Sequence, residues 1–171
     1  MAGAGHLSTM TWDTVPDAAL VLVPVGSTEQ HGPHLPFSTD TVIAQAAADR
    51  IAEALADRGV PVLVAPSIGY GASGEHQGFP GTMSVGHEAL RHLVVELVRS
   101  LSTWARRIVF VNGHGGNVGT IVSALTQMRS EQHDVAWLAC AFESATDAHA
   151  GATETSVMLH LAPHLVDMAK A

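Results

Sequence analysis

Residues 19–26 read ALVLVPVG, a continuous apolar run that ends at a turn signal. A short run of this kind is typical of a β-strand that is buried on both faces, as in a parallel sheet. Two further runs have the same character, VPVLVAP at 60–66 and RIVFV at 107–111, and DVAWLACA at 134–141 predicts a fourth strand. A buried sheet of these strands is the centre of the predicted fold.

The segments between the strands have apolar residues at helical spacing. Helices are predicted at 39–58, 87–104, 118–131 and 153–162. Ser38 or Thr39 is placed to cap the start of the first helix, and Gly59 is placed to end it. Strands that alternate with helices predict βαβ units, and therefore an α/β fold with a mainly parallel sheet.

The composition indicates one globular domain, residues 1–171. Hydrophobic residues make up 47% of the chain and charged residues 14%, which argues against disorder. The net charge of −8 and only 8 Lys and Arg residues argue against a nucleic-acid partner, which needs a basic face. Cys140 is the one cysteine, so it cannot form an internal disulfide. No apolar segment approaches the roughly 20 residues that cross a bilayer, so we expect a cytoplasmic protein without membrane contact.

Metal-binding side chains follow the predicted strands. Glu29 and His31 come after the first strand, and Asp40 begins the next helix. His114 follows the third strand, and Glu154 comes after the fourth strand and a loop. Because ligands of open α/β sheets bind at the carboxyl ends of the strands, we expect these five side chains to gather at one edge.

Imidazole and carboxylate groups are suitable ligands for Zn, Mn or Fe. Two such cations about 3.5–4 Å apart can lower the pKa of water and polarise a carbonyl group. Each part of the pattern also has a simpler interpretation. Glu29 and His31 could be solvated loop residues, Asp40 could be a charge favoured by the helix dipole, and Asn112-Gly113-His114 could be only a turn. The combination of all five residues at one edge of the sheet is more specific for a metal site than any one of them alone.

Four segments resemble, in the same order, the signatures of the creatininase family. They are GSTEQHGPHLPFSTD at 26–40, FPGTMS at 79–84, VNGHGGN at 111–117 and DAHAGATETS at 147–156. The resemblance implies a three-layer sandwich, with the sheet between two layers of helices, and a metal-dependent hydrolase of amide bonds. It also implies a homo-oligomer.

Three longer segments resemble the branch of the family that acts in mycofactocin biosynthesis. They are YGASGEHQGFPGT at 70–82, WARRIVFVNGHGGNVG at 104–119 and HAGATETSVMLHL at 149–161. This likeness implies a peptidase that cleaves a modified precursor peptide near its C-terminus and releases a cross-linked Val-Tyr dipeptide.

The resemblance also assigns roles to residues. Glu29, Asp40 and His114 would bind one divalent transition-metal ion, and His31, Asp40 and Glu154 would bind a second, with Asp40 as the bridge. The metal would be Zn, Fe or Mn.

Residues around the implied metals would act on the substrate. His149 matches the catalytic histidine of the family and would stabilise the oxyanion or protonate the leaving nitrogen. Glu154 would help in proton transfer if it is not a ligand. His76 and Ser73 are expected to line the pocket, although His76 could equally be a surface residue.

Two departures from the family pattern bear on function. Creatininase has a metal-binding Glu at the position of Gly116, so creatinine is not the expected substrate. Glu154 is then the expected replacement ligand. Relatives also continue beyond the last predicted helix, so we expect a domain that is short at its C-terminus.

Three alternatives remain open at this point. The first is a formamide or cyclic-amide hydrolase with the same metal site. The second is serine-type hydrolysis by Ser27 or Ser73, although neither lies in a G-x-S-x-G elbow. The third is a metal-binding scaffold without catalytic activity.

Overall fold

The computed structural model describes residues 5–140, 147 and 149–171. Its strands are β1 (Gly5–His6), β2 (Leu20–Val25), β3 (Val62–Val64), β4 (Arg107–Asn112) and β5 (Val135–Ala139). They form one sheet in the order β1-β3-β2-β4-β5, in which every pair is parallel. The four predicted strands are confirmed, whereas β1 was not predicted. The predicted end of the last strand, Ala141, lies outside the described residues.

Four helices flank the sheet, as predicted. They are α1 (Thr39–Ala56), α2 (Gly86–Leu101), α3 (Val118–Ser130) and α4 (Ala152–Leu161). Short 3-10 helices cover Leu7–Thr9, Trp12–Thr14, Gly74–His76, Gly115–Asn117 and Pro163–Leu165. Helices α1 and α4 pack together on one face, and α2 packs against α3 on the other. The predicted three-layer α/β sandwich is therefore confirmed. In the described part of the chain, no helix has the length and apolar character needed to span a membrane.

The sheet core explains why β2 lies at the centre. Val21, Val23 and Val25 pack into the cluster that includes α2 and α3, while Leu22 packs into the cluster against α1. All four are buried. Full burial of such a side chain contributes about 1.5–3 kcal/mol, so alternate residues of one strand hold both helix layers in place.

The predicted end signal of helix α1 is confirmed, but its predicted start signal is not. Gly59 has a φ of 75°, and its backbone N–H donates a helix-ending hydrogen bond to the carbonyl of Ala56, as the pattern predicts. The predicted side-chain cap is wrong. Ser38 occupies the N-cap position without a capping bond, and the hydroxyl of Thr39 donates to the carbonyl of Pro36.

The chain changes direction at the carboxyl ends of β2 and β4, and this opens a crevice. The strands are paired neighbours up to Val25 and Asn112, but β2 leads to α1 on one face and β4 leads to α3 on the other. Ligands of open α/β folds bind at such a switch point. A Cβ on Gly113 would lie 2.4 Å from the carbonyl oxygen of Asp40, so only glycine lets the start of α1 approach β4 this closely.

Candidate metal centre

Glu29 lies in the loop that follows β2, at the floor of the crevice. Its side chain is fully buried, and neither carboxylate oxygen has a hydrogen-bond partner among the residues that the structure describes. A buried carboxylate without partners is costly, so such groups are usually paired or bind metals. The backbone fixes this position, because Glu29 donates to Phe37 and the hydroxyl of Thr28 donates to the carbonyl of Gly69.

Asp40 lies in the first turn of α1 and faces both histidines of the predicted site. Its Oδ1 is 3.1 Å from Nε2 of His31, and its Oδ2 is 3.3 Å from Nδ1 of His114. Asp40 and His31 are both buried. The Oδ2 atom has no hydrogen bond within the described residues, so it is available to a ligand.

His114 is held at the end of β4 by a carbonyl group. Its Nε2 lies 3.1 Å from the carbonyl oxygen of Ala72, and because a carbonyl only accepts, Nε2 carries a hydrogen. Nδ1 then faces the acids, 3.2 Å from Oε1 of Glu29. Burial opposes a positive charge on this ring, but Asp40 and Glu29 outweigh burial and raise the pKa of His114 to about 10.

The neighbouring histidines favour the ionised form of the two acids. Burial acts to raise the pKa of Glu29, but His114 and Ser73 hold it below its ordinary value. Burial likewise opposes ionisation of Asp40, and His114 and His31 lower its pKa. The pKa of His31 is raised by Asp40 against the effect of burial. The raised pKa values of His31 and His114 favour positive charge on the two rings beside the carboxylates.

Glu154, in the first turn of α4, closes the site on the other side. Its Oε2 lies 4.0 Å from Nε2 of His31 and accepts a hydrogen bond from the backbone of Ala150 at 2.5 Å. Ligand atoms of His31, Asp40 and Glu154 all lie within 4.8 Å of one another. The structure thus brings all five predicted ligands together.

His149 and His76 form a stacked pair at the mouth of the crevice. Their ring centroids are 4.4 Å apart. Nε2 of His149 donates to the carbonyl of Gln30 at 2.5 Å, and Nδ1 lies 3.5 Å from Oε1 of Glu29. Nδ1 of His76 accepts from the side-chain amide of Gln30. Gln30 orients both rings, and the sequence pattern gave it no role.

Ser73 lies behind the site instead of in the open crevice. It is fully buried, and its hydroxyl forms hydrogen bonds with Ser27 and, at 3.4 Å, with Nε2 of His114. The structure therefore places Ser73 as a support of the His114 ring, whereas a substrate contact was expected. Ser27 is equally buried, so neither hydroxyl is exposed for the serine-type alternative.

The crevice has a volume of about 250 Å³ and includes Glu29, Asp40, His114, His149 and Glu154. Its lining also contains Glu75, which the sequence analysis did not identify. A larger apolar groove of about 430 Å³ lies elsewhere, between α1 and α4. Four of the five candidate ligands line the smaller space, and the unpartnered oxygens of Glu29 and Asp40 make it suitable for divalent cations with N and O ligands.

A comparison with known protein families shows which family this fold and site belong to. The profile described as Creatininase, creatinine amidohydrolase, matches residues 8–171. The chain belongs to the creatininase family. Two solved structures agree with this: a creatininase with Mn (31% identity, TM-score 0.80) and a mutant creatininase of the Zn-Zn type (30% identity, TM-score 0.81). The first match covers 98% of this chain and 76% of that one, and the second covers 96% and 75%.

Within the creatininase family, the chain is similar to a protein of Mycolicibacterium smegmatis named mycofactocin precursor peptide peptidase. The two are 58% identical over 147 residues, which is 84% of this chain and 58% of the relative. Other mycobacterial proteins of the same name are covered to 65–66% of their length. The chain thus spans about 60% of the length of these curated relatives.

Proposed function

We propose that this chain is a metal-dependent amidohydrolase that cleaves the modified mycofactocin precursor peptide. The observation that carries the proposal is the buried pair Glu29 and Asp40, whose unpartnered oxygens face a common crevice. The relatives named for this peptidase activity, at 51–58% identity, support the substrate. The product would be the dipeptide derived from the C-terminal Val-Tyr.

In this proposal two divalent ions bind the five converging side chains. Glu29, Asp40 and His114 would hold one ion, and His31, Asp40 and Glu154 would hold the other. Asp40 can bridge because its two oxygens face different histidines. The names of the solved relatives support Zn or Mn, and Fe fits the same donor atoms. Ions in such a pair lower the pKa of water and polarise a carbonyl group.

His149 supplies the proton transfer. Its Nε2 hydrogen is bound to the carbonyl of Gln30, so the free Nδ1 is the atom that faces the crevice. Nδ1 takes a proton from the attacking water and then gives it to the leaving amide nitrogen. The ring is partly exposed at the rim, where a substrate can reach it.

An apolar rim beside the crevice suits a Val-Tyr end. The ring of Phe79 lies 6.4 Å from the ring of His76 and is more than half exposed. Phe37 is also exposed and contacts the turn at Gly81. Aromatic side chains bind valine and tyrosine through apolar contact. A small polar amide would leave this rim unused, which favours the peptide over a formamide or a cyclic amide.

The proposal extends to a cytoplasmic homo-oligomer. Strand β5 is at the edge of the sheet among the described residues, and Leu138 on it is half exposed. An uncovered edge strand with an apolar side chain favours pairing or cover by another chain. Light scattering after size-exclusion chromatography would measure the mass, and a monomer would contradict this part.

The test of function uses metal-free protein that is reloaded with Zn, Mn or Fe(II). The substrates are the modified precursor peptide, small formamides and lactams, with product analysis by mass spectrometry. We expect metal-dependent release of the dipeptide and no turnover of the small amides. Turnover of the small amides alone would support the alternative hydrolase. Tight metal binding without any turnover would identify a scaffold, and either result would overturn the proposed activity.

A further inference from the structure

We propose that Glu75 is an additional protein ligand of the ion held by Glu29 and His114. The proposal rests on the proposed metal site and extends it to a residue outside the expected set. Ligand atoms of Glu29, Glu75 and His114 all lie within 4.8 Å of one another. Oε1 of Glu75 is 3.7 Å from Nε2 of His114, and Glu75 lines the same crevice.

An independent observation, the burial of Glu29, points to a ligand at this group. Glu29 is fully buried, and both of its oxygens are without hydrogen bonds in the described part of the chain. Glu75 adds a third carboxylate, beside Asp40, around the same imidazole. Such an arrangement is repulsive unless a cation balances it, so the donor set points to a divalent ion.

Gly116 provides the space into which Glu75 reaches. A Cβ at position 116 would lie 2.7 Å from Oε1 of Glu75 and 2.4 Å from Nε2 of His114. Any side chain there would push the carboxylate away from the ring. The glutamate that creatininase has at the position of Gly116 is thus replaced by the carboxylate of Glu75 from another loop. Glu154 lies on the opposite side of the site, near His31.

The segment that carries Glu75 is held firmly at its start. The backbone of Ala72 donates to Oδ1 of the buried Asn117 at 2.9 Å, and the backbone of Ser73 donates to the hydroxyl of Ser84 at 2.9 Å. The carbonyl of Ala72 also binds His114. These contacts fix the backbone from which Glu75 reaches the crevice relative to His114.

The experiment measures metal binding rather than activity. Zn²⁺ and Mn²⁺ are titrated separately into metal-free protein in competition with a chelator, for Glu75→Gln, Asp40→Asn and the control Glu88→Gln. Glu88 is an exposed acid in the first turn of α2, so its variant makes the same change in charge on the surface. The thermal midpoint of each metal-free variant is recorded as the check on folding.

We expect Glu75→Gln to lower the affinity for one of the two ions about tenfold or more and to leave the affinity for the other ion unchanged. Its metal-free thermal midpoint should stay the same, because Glu75 is half exposed. Unchanged binding of both ions in Glu75→Gln, with loss of binding in Asp40→Asn, would overturn this inference alone. Unchanged binding in both variants would overturn the proposed metal site itself.

Discussion

Asp40 and His31 form a buried pair in which Oδ1 of the carboxylate lies 3.1 Å from Nε2 of the ring. The other carboxylate oxygen, Oδ2, has no hydrogen bond within the described residues. A helix-start carboxylate that served only the dipole would be solvated. Asp40 is instead buried, with Oδ1 beside His31 and Oδ2, which has no hydrogen bond within the described residues, 3.3 Å from Nδ1 of His114. This arrangement is what a bridging ligand requires.

Replacement of Asp40 by Asn should therefore abolish binding of both ions. An amide keeps the shape but loses the charge, and we expect the affinity for each ion to fall by at least about 100-fold, since even indirect partners of a metal are worth 10–100-fold. Metal content after dialysis is measured by mass spectrometry. Glu53→Gln, an exposed change on the same helix, is the control. Two ions retained in Asp40→Asn would contradict the bridging role.

Metal affinity should rise with pH through the titration of His114. Asp40 and Glu29 raise the pKa of this ring to about 10, so the metal-free protein holds a proton that the cation must displace. Between pH 7 and 9, one displaced proton strengthens binding up to about tenfold per pH unit. Calorimetry in buffers of different ionisation enthalpy counts the protons released. Affinity that does not change with pH would show that His114 is not a ligand.

The same raised pKa has a consequence for the stability of the metal-free protein. A folded-state pKa above the ordinary value of 6.5 contributes stability that is complete below about pH 6.5 and is lost as the pH rises through about 10. In the presence of a chelator, the free energy of unfolding should fall across this window. The metal-loaded protein should lack this fall, because the ion has replaced the proton.

Loss of the His149 ring should reduce turnover and leave the metals in place. His149→Ala removes the free Nδ1 at the rim, and proton transfer by such a group contributes about 10²–10⁴-fold to the rate. The metal content should remain at two ions, because the five proposed ligands are intact. His92→Ala, an exposed histidine on α2, is the control. Loss of an ion from His149→Ala would make this residue a ligand instead.

Gly113 should be far more sensitive than Gly119 to replacement by alanine. A Cβ on Gly113 would press on the backbone carbonyl of Asp40 at 2.4 Å, so we expect a loss of about 1–3 kcal/mol together with weaker metal binding. Gly119 lies near the start of α3 with open space around it, and alanine there should gain up to about 1 kcal/mol. Urea unfolding compares the two. Equal stabilities would show that α1 does not need this close approach.

Local pattern was enough to predict much of the fold. Apolar runs and helical spacing gave the four main strands and four helices, because each element must bury a face whose period the sequence records. Strand β1 was missed because Gly5 and His6 are too short to show a period. The side-chain cap at Ser38 or Thr39 was predicted wrongly, because the Thr39 hydroxyl binds the nearby carbonyl of Pro36.

The sequence by itself determined which residue types follow each strand, and thus the five candidate ligands. Only the tertiary structure decided how they meet. The pairing of β2 with β4 brings Glu29 beside His114, and Asn117 joins Gly26 to the loop of Ala72 through its two side-chain groups. Contacts of this kind also fix the loop that places Glu75 in the lining of the crevice. These contacts join residues that are distant in sequence. A local periodicity cannot predict them, because their energy depends on the packing of the whole sheet.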